Sequence, residues 1–392
     1  MEKTDARAVL NINLGWKFHL GDEPRAWQKG FDDGEWDCID LPHDWAVQYP
    51  FDKRYSSGTG YLPGGIGFYR KVFYLGEELK GKRIYLKFDG VYKNSMVWCN
   101  SYYLGKRPSG YTEFIYDITD FACFGETPNV IAVRVDHSHV ADSRWYTGSG
   151  IYRKVTLVIK DRISIDNYGL FVSTREINDR GAELEVQTSI SNTTDEDAEI
   201  EVNYYVVDHN GDLAASGSGA HEIRAQNNAR ANATLLVEGP RLWSTKSPYL
   251  YDFIAEIVKD GRVIDREVVK IGIRTFEFDA DGGFFLNGEG MKIKGVCVHH
   301  DAGCLGAAVR KKVWERRLMI LKEMGCNAIR MSHNPHMPEL YDLCDSMGFL
   351  AMDEAFDEWE GVKNKWAYGH NVYPPAHYGY YEDFPEWHER DL

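Results

Sequence analysis

Two rhythms of apolar residues divide this chain, and the point where one replaces the other limits its folds more than any other feature. Up to about residue 275, apolar and polar residues alternate in short runs, as in Arg83-Ile84-Tyr85-Leu86-Lys87-Phe88 and Val130-Ile131-Ala132-Val133-Arg134-Val135. A period of two puts successive side chains on opposite faces, so each run reads as a strand with one buried face. Turns rich in Gly, Pro and Asn separate the runs. Past residue 276 the rhythm becomes strand, helix, strand. Met291 to Val298 reads as a strand. Residues 309–324 form a helix with Val313, Trp314, Leu318, Leu321 and Met324 as its apolar stripe and Gly325 as its stop. Asn327 to Met331 is a second strand. Pro338 opens a helix with Leu340, Leu343, Cys344 and Met347 on one face, ended by Gly348. Phe349 to Met352 is a third strand. Such units predict parallel strands with crossover helices.

The 392 residues exceed one ordinary domain of roughly 100–200 residues, so two or three are expected. Residues 1–162 fit a β-sandwich or jelly roll. Residues 163–275 hold about seven strands and fit an immunoglobulin-like β-sandwich lacking the cysteine pair of antibody domains. Residues 276–392 supply three strands and two helices, whereas a (β/α)8 barrel needs about 250 residues. That region is either a small open α/β unit or the N-terminal part of an incomplete TIM barrel, and its parallel edge is expected to be exposed.

The formal charge of −15 opposes nucleic acid and anionic membranes at long range, so neither is an expected partner. No run of about 18 apolar residues is present. Seven widely spaced cysteines without a C-x-x-C read as reduced thiols, and Met1 to Asp5 lack the apolar core of a signal peptide. Both features point to the cytoplasm, with periplasm or secretion open if a leader was removed. The aromatic share of 14% suits β-rich proteins and sugar-stacking proteins alike.

Several phrases converge on one family. In the first region they are Leu41-Pro42-His43-Asp44-Trp45, Gly67-Phe68-Tyr69-Arg70-Lys71, Gly110-Tyr111-Thr112-Glu113-Phe114, and Ser143 to Arg153. In the last they are Lys294 to Asp301, Asn327 to Pro335, and Met352 to Trp359. In this order they resemble glycoside hydrolase family 2: sugar-binding jelly roll, immunoglobulin-like sandwich, then barrel. The resemblance covers essentially the whole chain and is nearest to the β-galactosidases. It implies hydrolysis of terminal non-reducing β-D-galactosides with retention, by two carboxylates about 5–5.5 Å apart. No Asn-Glu dipeptide follows Asp301. Acid/base and nucleophile Glu are therefore expected beyond Leu392, and this chain alone is expected to be inactive. The resemblance implies β-galactoside oligosaccharides as partners, no required cofactor, and the option of a homo-oligomer.

His333 and His299 end the second and first barrel strands, at the face where barrel active sites lie. The resemblance implies that both contact substrate, while a turn-holding role for His333 stays open. The run His299-His300-Asp301 also invites a metal reading, yet neighbouring strand residues diverge. Arg330 is expected to be buried inside the barrel, paired either with a catalytic Glu or with Asp353 or Glu354. Asp353 and Glu354 cannot both flank one glycosidic bond for the same reason of divergence. The resemblance makes Asp142 a residue that reaches from the first domain into the sugar site. It makes Glu358 and Glu360 ligands for Mg²⁺, against the plainer reading of an exposed acidic loop. Trp45, Trp98 and Trp145 are either stacking platforms or, by default, core. The tail from Trp366 to Trp387 shows little period and reads as a pocket-shaping loop, or as disordered without the rest of a barrel. A non-catalytic carbohydrate-binding protein, a β-glucuronidase and an adhesion-type scaffold remain the alternatives.

Overall fold

The computed structural model describes residues 6–139, 141–367, 370–371 and 379–392. The first region folds as two antiparallel sheets. One has six strands, running spatially from Asp37–Ile39 through Trp16–Leu20, Gly65–Phe73, Asn129–His137 and Ser95–Cys99 to Tyr102–Arg107. The other has four, from Arg7–Asn11 through Val155–Lys160 and Arg83–Phe88 to Phe114–Asp117. The alternation seen in Arg83–Phe88 becomes burial on one side only: Ile84, Leu86 and Phe88 are each fully buried. They meet Trp16, Tyr69, Val97 and Val133 from the facing sheet in a single core. Burial of each such side chain contributes roughly 1.5–3 kcal/mol.

Residues Ile163–Ile271 form seven strands in two sheets of three and four. Their core joins Ile165, Val186 and Ile190 on one sheet to Val202, Tyr204, Phe253 and Ile257 on the other. A buried hydroxyl pair, Thr188 Oγ1 and Tyr204 OH at 2.9 Å, bridges the sheets and leaves neither group unsatisfied. Arg7 of the first sandwich reaches across to Asp265 and Glu267, each at 2.7 Å, tying the two sandwiches together.

A three-stranded antiparallel sheet, Phe276–Asp279, Gly283–Leu286 and Glu289–Gly290, precedes the barrel segment. The alternation rule had assigned none of it. Its signal was the pair Asn287-Gly288, where both residues take positive φ (52° and 77°) and close a two-residue hairpin. The strand expected from Met291 starts only at Gly295.

The barrel segment has three parallel strands, Gly295–Val298, Ala328–Met331 and Leu350–Met352, in spatial order. Helix α1 (Lys311–Glu323) buries Trp314 and Leu318, and Gly325 at φ 86° follows its end. Helix α2 (Pro338–Met347) starts on its proline and stops at Gly348, φ 75°, whose N–H caps Cys344 O. Both helices cover one face of the sheet, where Ile329 and Met331 are buried. The other face is open. Cys297, Arg330 and Met352 lie side by side in register there, and Met352 is 61% exposed.

Candidate functional site

A cleft forms where the C-terminal ends of the barrel strands meet a loop of the first sandwich. His299 directly follows the first barrel strand, and His333 lies two residues past the second, beyond a cis Ser332–His333 peptide bond. The strands are parallel neighbours, so both imidazoles emerge on one side, with ring centroids 5.4 Å apart. His299 Nδ1 is buried with no hydrogen-bond partner among the described residues. Burial, reinforced by the nearby His333, lowers the pKa of His299 and keeps it neutral. A neutral imidazole with an unsatisfied nitrogen suits a hydroxyl-bearing ligand, which can donate and accept.

His300 takes the opposite side, as the strand pleat requires. It is buried against Tyr111 and Tyr152, with Nε2 2.9 Å from Thr147 O. Burial pushes its pKa down to about 3. A carbonyl accepts only, so Nε2 carries the proton. His299 and His300 therefore do not converge, and among the described residues no group of three His, Cys, Asp or Glu is placed to hold a metal.

Glu354, just past the third strand, organises His333. Its Oε1 meets Arg330 at 2.5 Å, and its Oε2 lies 2.9 Å from His333 Nδ1. His333 Nδ1 also lies 3.3 Å from Arg330 Nη2, but the nearer carboxylate favours a hydrogen on Nδ1, which leaves Nε2 as the acceptor nitrogen. Burial opposes ionisation of Glu354, but hydrogen bonds from His333 and Arg330 outweigh it and hold the carboxyl below its usual range. Glu354 is thus a fixed anion, poorly suited to proton donation. The expected burial of Arg330 is corrected: its side chain is 41% exposed, because it sits on the open face of a three-stranded sheet rather than inside a closed barrel. Of the partners considered for it, Glu354 is the one it meets, while Asp353 is exposed.

Trp145 packs against both imidazoles from the first sandwich. Its ring lies 5.1 Å from His299 and 5.1 Å from His333, and its Nε1 donates to Tyr111 OH at 3.2 Å. Core packing, the default reading for this residue, fails here, although it holds for the fully buried Trp45. The loop carrying Trp145 is set by Asp44, which the sequence reading had not singled out. Asp44 accepts from Tyr146 OH (2.6 Å), Ser149 N (3.0 Å) and Ala307 N (2.9 Å), so one buried carboxylate joins the Trp145 loop to the barrel. Arg144 adds a 2.6 Å ion pair to Asp357.

Asp142 is not part of this cluster. It is buried beside Tyr92 OH (2.8 Å), Lys93 Nζ (3.2 Å) and His137 Nε2 (3.3 Å). Burial would raise its pKa, but Lys93 and His137 prevail and hold it well below the carboxylate range. It lines a small adjoining cavity with Ser143, Asn334 and Asp357, so Trp145 rather than Asp142 is the residue of this loop that touches the two imidazoles. The environments of Glu358 and Glu360 diverge. Glu358 is 3% exposed and meets Lys365 Nζ at 2.5 Å, whereas Glu360 is exposed. With a lysine already neutralising Glu358, the pair does not fit a hard cation, and the exposed-loop alternative holds for Glu360 alone.

The tail departs from its aperiodic reading. Residues 368–369 and 372–378 lie outside the described residues, but Phe384–Asp391 form helix α3, started by Pro385 in its first turn. Phe384 and His388 of α3, with Phe356 and Trp359, line the cleft together with Arg144, Arg330, His333 and Glu354.

Comparison with known proteins decides what this geometry belongs to. Family models match in succession: the sugar binding domain of glycosyl hydrolases family 2 over residues 10–161, glycosyl hydrolases family 2 over 163–274, and the family's TIM barrel domain over 279–391. The chain belongs to glycosyl hydrolase family 2. Its first region is therefore the family 2 sugar-binding domain and its last a partial family 2 barrel. A β-galactosidase of Bacteroides ovatus is 45% identical across 98% of this chain and 44% of its own length. A putative β-glucuronidase of Formosa agariphila is 36% identical across 100% of this chain and 36% of its own. The crystal structure of a family 2 member from Bacteroides cellulosilyticus superposes with a TM-score of 0.91 at 37% identity, over 98% of this chain and 49% of that one. The chain thus spans less than half the length of these family 2 relatives.

Proposed function

We propose that this chain carries the sugar-recognition part of a family 2 glycosidase acting on terminal β-D-galactosides. The observation behind this reading is the mutual contact of His299, His333 and Trp145, two imidazoles and one indole from two domains, beside a cleft that His333 lines. The imidazoles serve sugar hydroxyls and the indole serves an apolar sugar face.

Galactoside and glucuronide differ in the configuration of the 4-hydroxyl and by the carboxylate carried on C5, and relatives bearing each name are similar to this chain. The charges of the cleft favour the neutral sugar. Arg330 meets Glu354, while Arg144 and Lys363 both meet Asp357, so each cation that lines the cleft already faces an acid. A sugar acid would have to compete for them. The same pairing argues against Glu354 as the acid catalyst, so hydrolysis is assigned to carboxylates other than these.

Isothermal titration of methyl β-D-galactoside and methyl β-D-glucuronide into the 392-residue chain tests the reading. Binding of the galactoside is expected, with His333→Ala and Trp145→Ala each weakening it about tenfold, the equivalent of about 1.4 kcal/mol. Preference for the glucuronide, or indifference to both substitutions, would refute it.

A further inference from the structure

We infer that a groove between the sugar-binding domain and the partial barrel binds a sugar that carries a phosphate or sulfate ester. The groove, of about 720 Å³, shares no lining residue with the cleft of His333. Six cations line it: Lys71, Arg153 and Lys154 from the sugar-binding domain, and Arg310, Lys311 and Lys312 from the start of α1. Glu339 is its one acid, in a chain whose net charge is −15. Lys154 pairs with Glu339, and Lys312 with Glu315, while the other four cations form no ion pair among the described residues. Lys71 Nζ donates to Leu14 O at 2.7 Å. Arg153 is buried and donates only to the carbonyls of Asp89 (3.1 Å), Tyr111 (2.8 Å) and Pro335 (2.8 Å). Carbonyl partners satisfy the hydrogen bonds and leave the positive charge uncompensated.

Folding alone does not account for this arrangement. The start of a helix is the positive end of its macrodipole and favours acids, yet α1 has no acid in its first turn and no side-chain cap. Arg310, Lys311 and Lys312 add positive charge where the free backbone N–H groups already supply it. An anion in the groove relieves these repulsions together. Glu339 adds a second requirement. It is 6% exposed, one carboxyl oxygen takes Lys154, and Oε2 has no hydrogen-bond partner among the described residues. A buried acceptor without a donor is costly. A hydroxyl supplies that donor, and a bare sulfate ion has none to give. Leu14 and Val72, both exposed and both lining the groove, offer an apolar surface to sugar C–H groups. Anion, hydroxyl and C–H face together describe the ester of a sugar rather than a free ion.

Isothermal titration at fixed ionic strength compares glucose 6-phosphate, glucose 6-sulfate, glucose and inorganic phosphate on the 392-residue chain. Binding of an ester is expected, with inorganic phosphate about tenfold weaker and glucose silent, and the tighter ester identifies the anion. The double variant Arg310→Ala, Lys311→Ala should weaken the ester about a hundredfold, and Lys71→Ala about tenfold. Without ligand the double variant should melt no lower than the wild type, since it removes charges that oppose the helix dipole. The ester should raise the melting temperature of the wild type and leave that of the double variant unchanged. Binding of neither ester, binding indifferent to these substitutions, or inorganic phosphate held as tightly as the esters overturns the proposal. Should the double variant melt lower, Lys311→Gln, at an exposed position, is titrated instead, and undiminished binding there overturns it equally.

Discussion

The second sandwich and the barrel segment are built from similar apolar material and treat it in opposite ways. In the sandwich, every inward position of the Tyr251–Lys259 strand finds a partner on the facing sheet, and Tyr251, Phe253, Ala255 and Ile257 are all buried. In the barrel segment, only the helix-covered face is sealed, and the row Cys297, Arg330, Met352 looks outward. Two antiparallel sheets close on each other within about a hundred residues, whereas three parallel strands cannot close on themselves. The second sandwich thus completes its core within this chain, while the described residues of the partial barrel leave one sheet face uncovered.

Three measurements would break or sharpen this contrast. The largest effect belongs to the closed core. Phe253→Ala should cost about 3–5 kcal/mol by opening a cavity between sheets that cannot collapse. Urea unfolding reads it, and a loss under about 1 kcal/mol would show that the sandwich is looser than its burial implies.

The second concerns the seam between sugar-binding domain and barrel, where His300 is buried neutral with a pKa of about 3. A folded-state pKa below the unfolded one means stability is present above about 6.5 and is lost as pH falls towards 3, because only the unfolded chain takes up the proton. His300→Gln should flatten the fall in unfolding free energy between pH 6 and 4 by about 1.4 kcal/mol per pH unit. An unchanged slope would mean that His300 reaches water in the folded protein.

The smallest effect is expected on the open face. Met352→Gln should change stability by less than about 0.5 kcal/mol, since the side chain already meets solvent. A clearly larger loss, growing with protein concentration, would show that another copy covers this face in solution.

How much of the molecule could be read beforehand differs by element. The strands at 83–88 and 129–137, both barrel helices and their glycine stops follow from local chemistry: period, proline at a helix start, positive φ at its end. The side-by-side placement of His299 and His333 also followed, because parallel neighbours present their C-terminal ends together. The hairpin sheet at 276–290 and helix α3 were missed, the first because only the Asn287-Gly288 turn signalled it, the second because eight residues are too few for a periodic signal.

The residues alone determined the order of the three regions, the direction of the barrel strands and the pair of imidazoles at their ends, since each depends on neighbours within a few tens of positions. Only the tertiary structure decided that Trp145, and not Asp142, touches those imidazoles, that Glu354 binds Arg330 and His333 together, and that Lys365 occupies Glu358. The contact of Trp145 with His333 joins residues 188 positions apart and is set by how the domains dock, whereas Glu354 and Lys365 meet their partners within the barrel segment, where aperiodic loop conformation rather than a repeating pattern picks the partner.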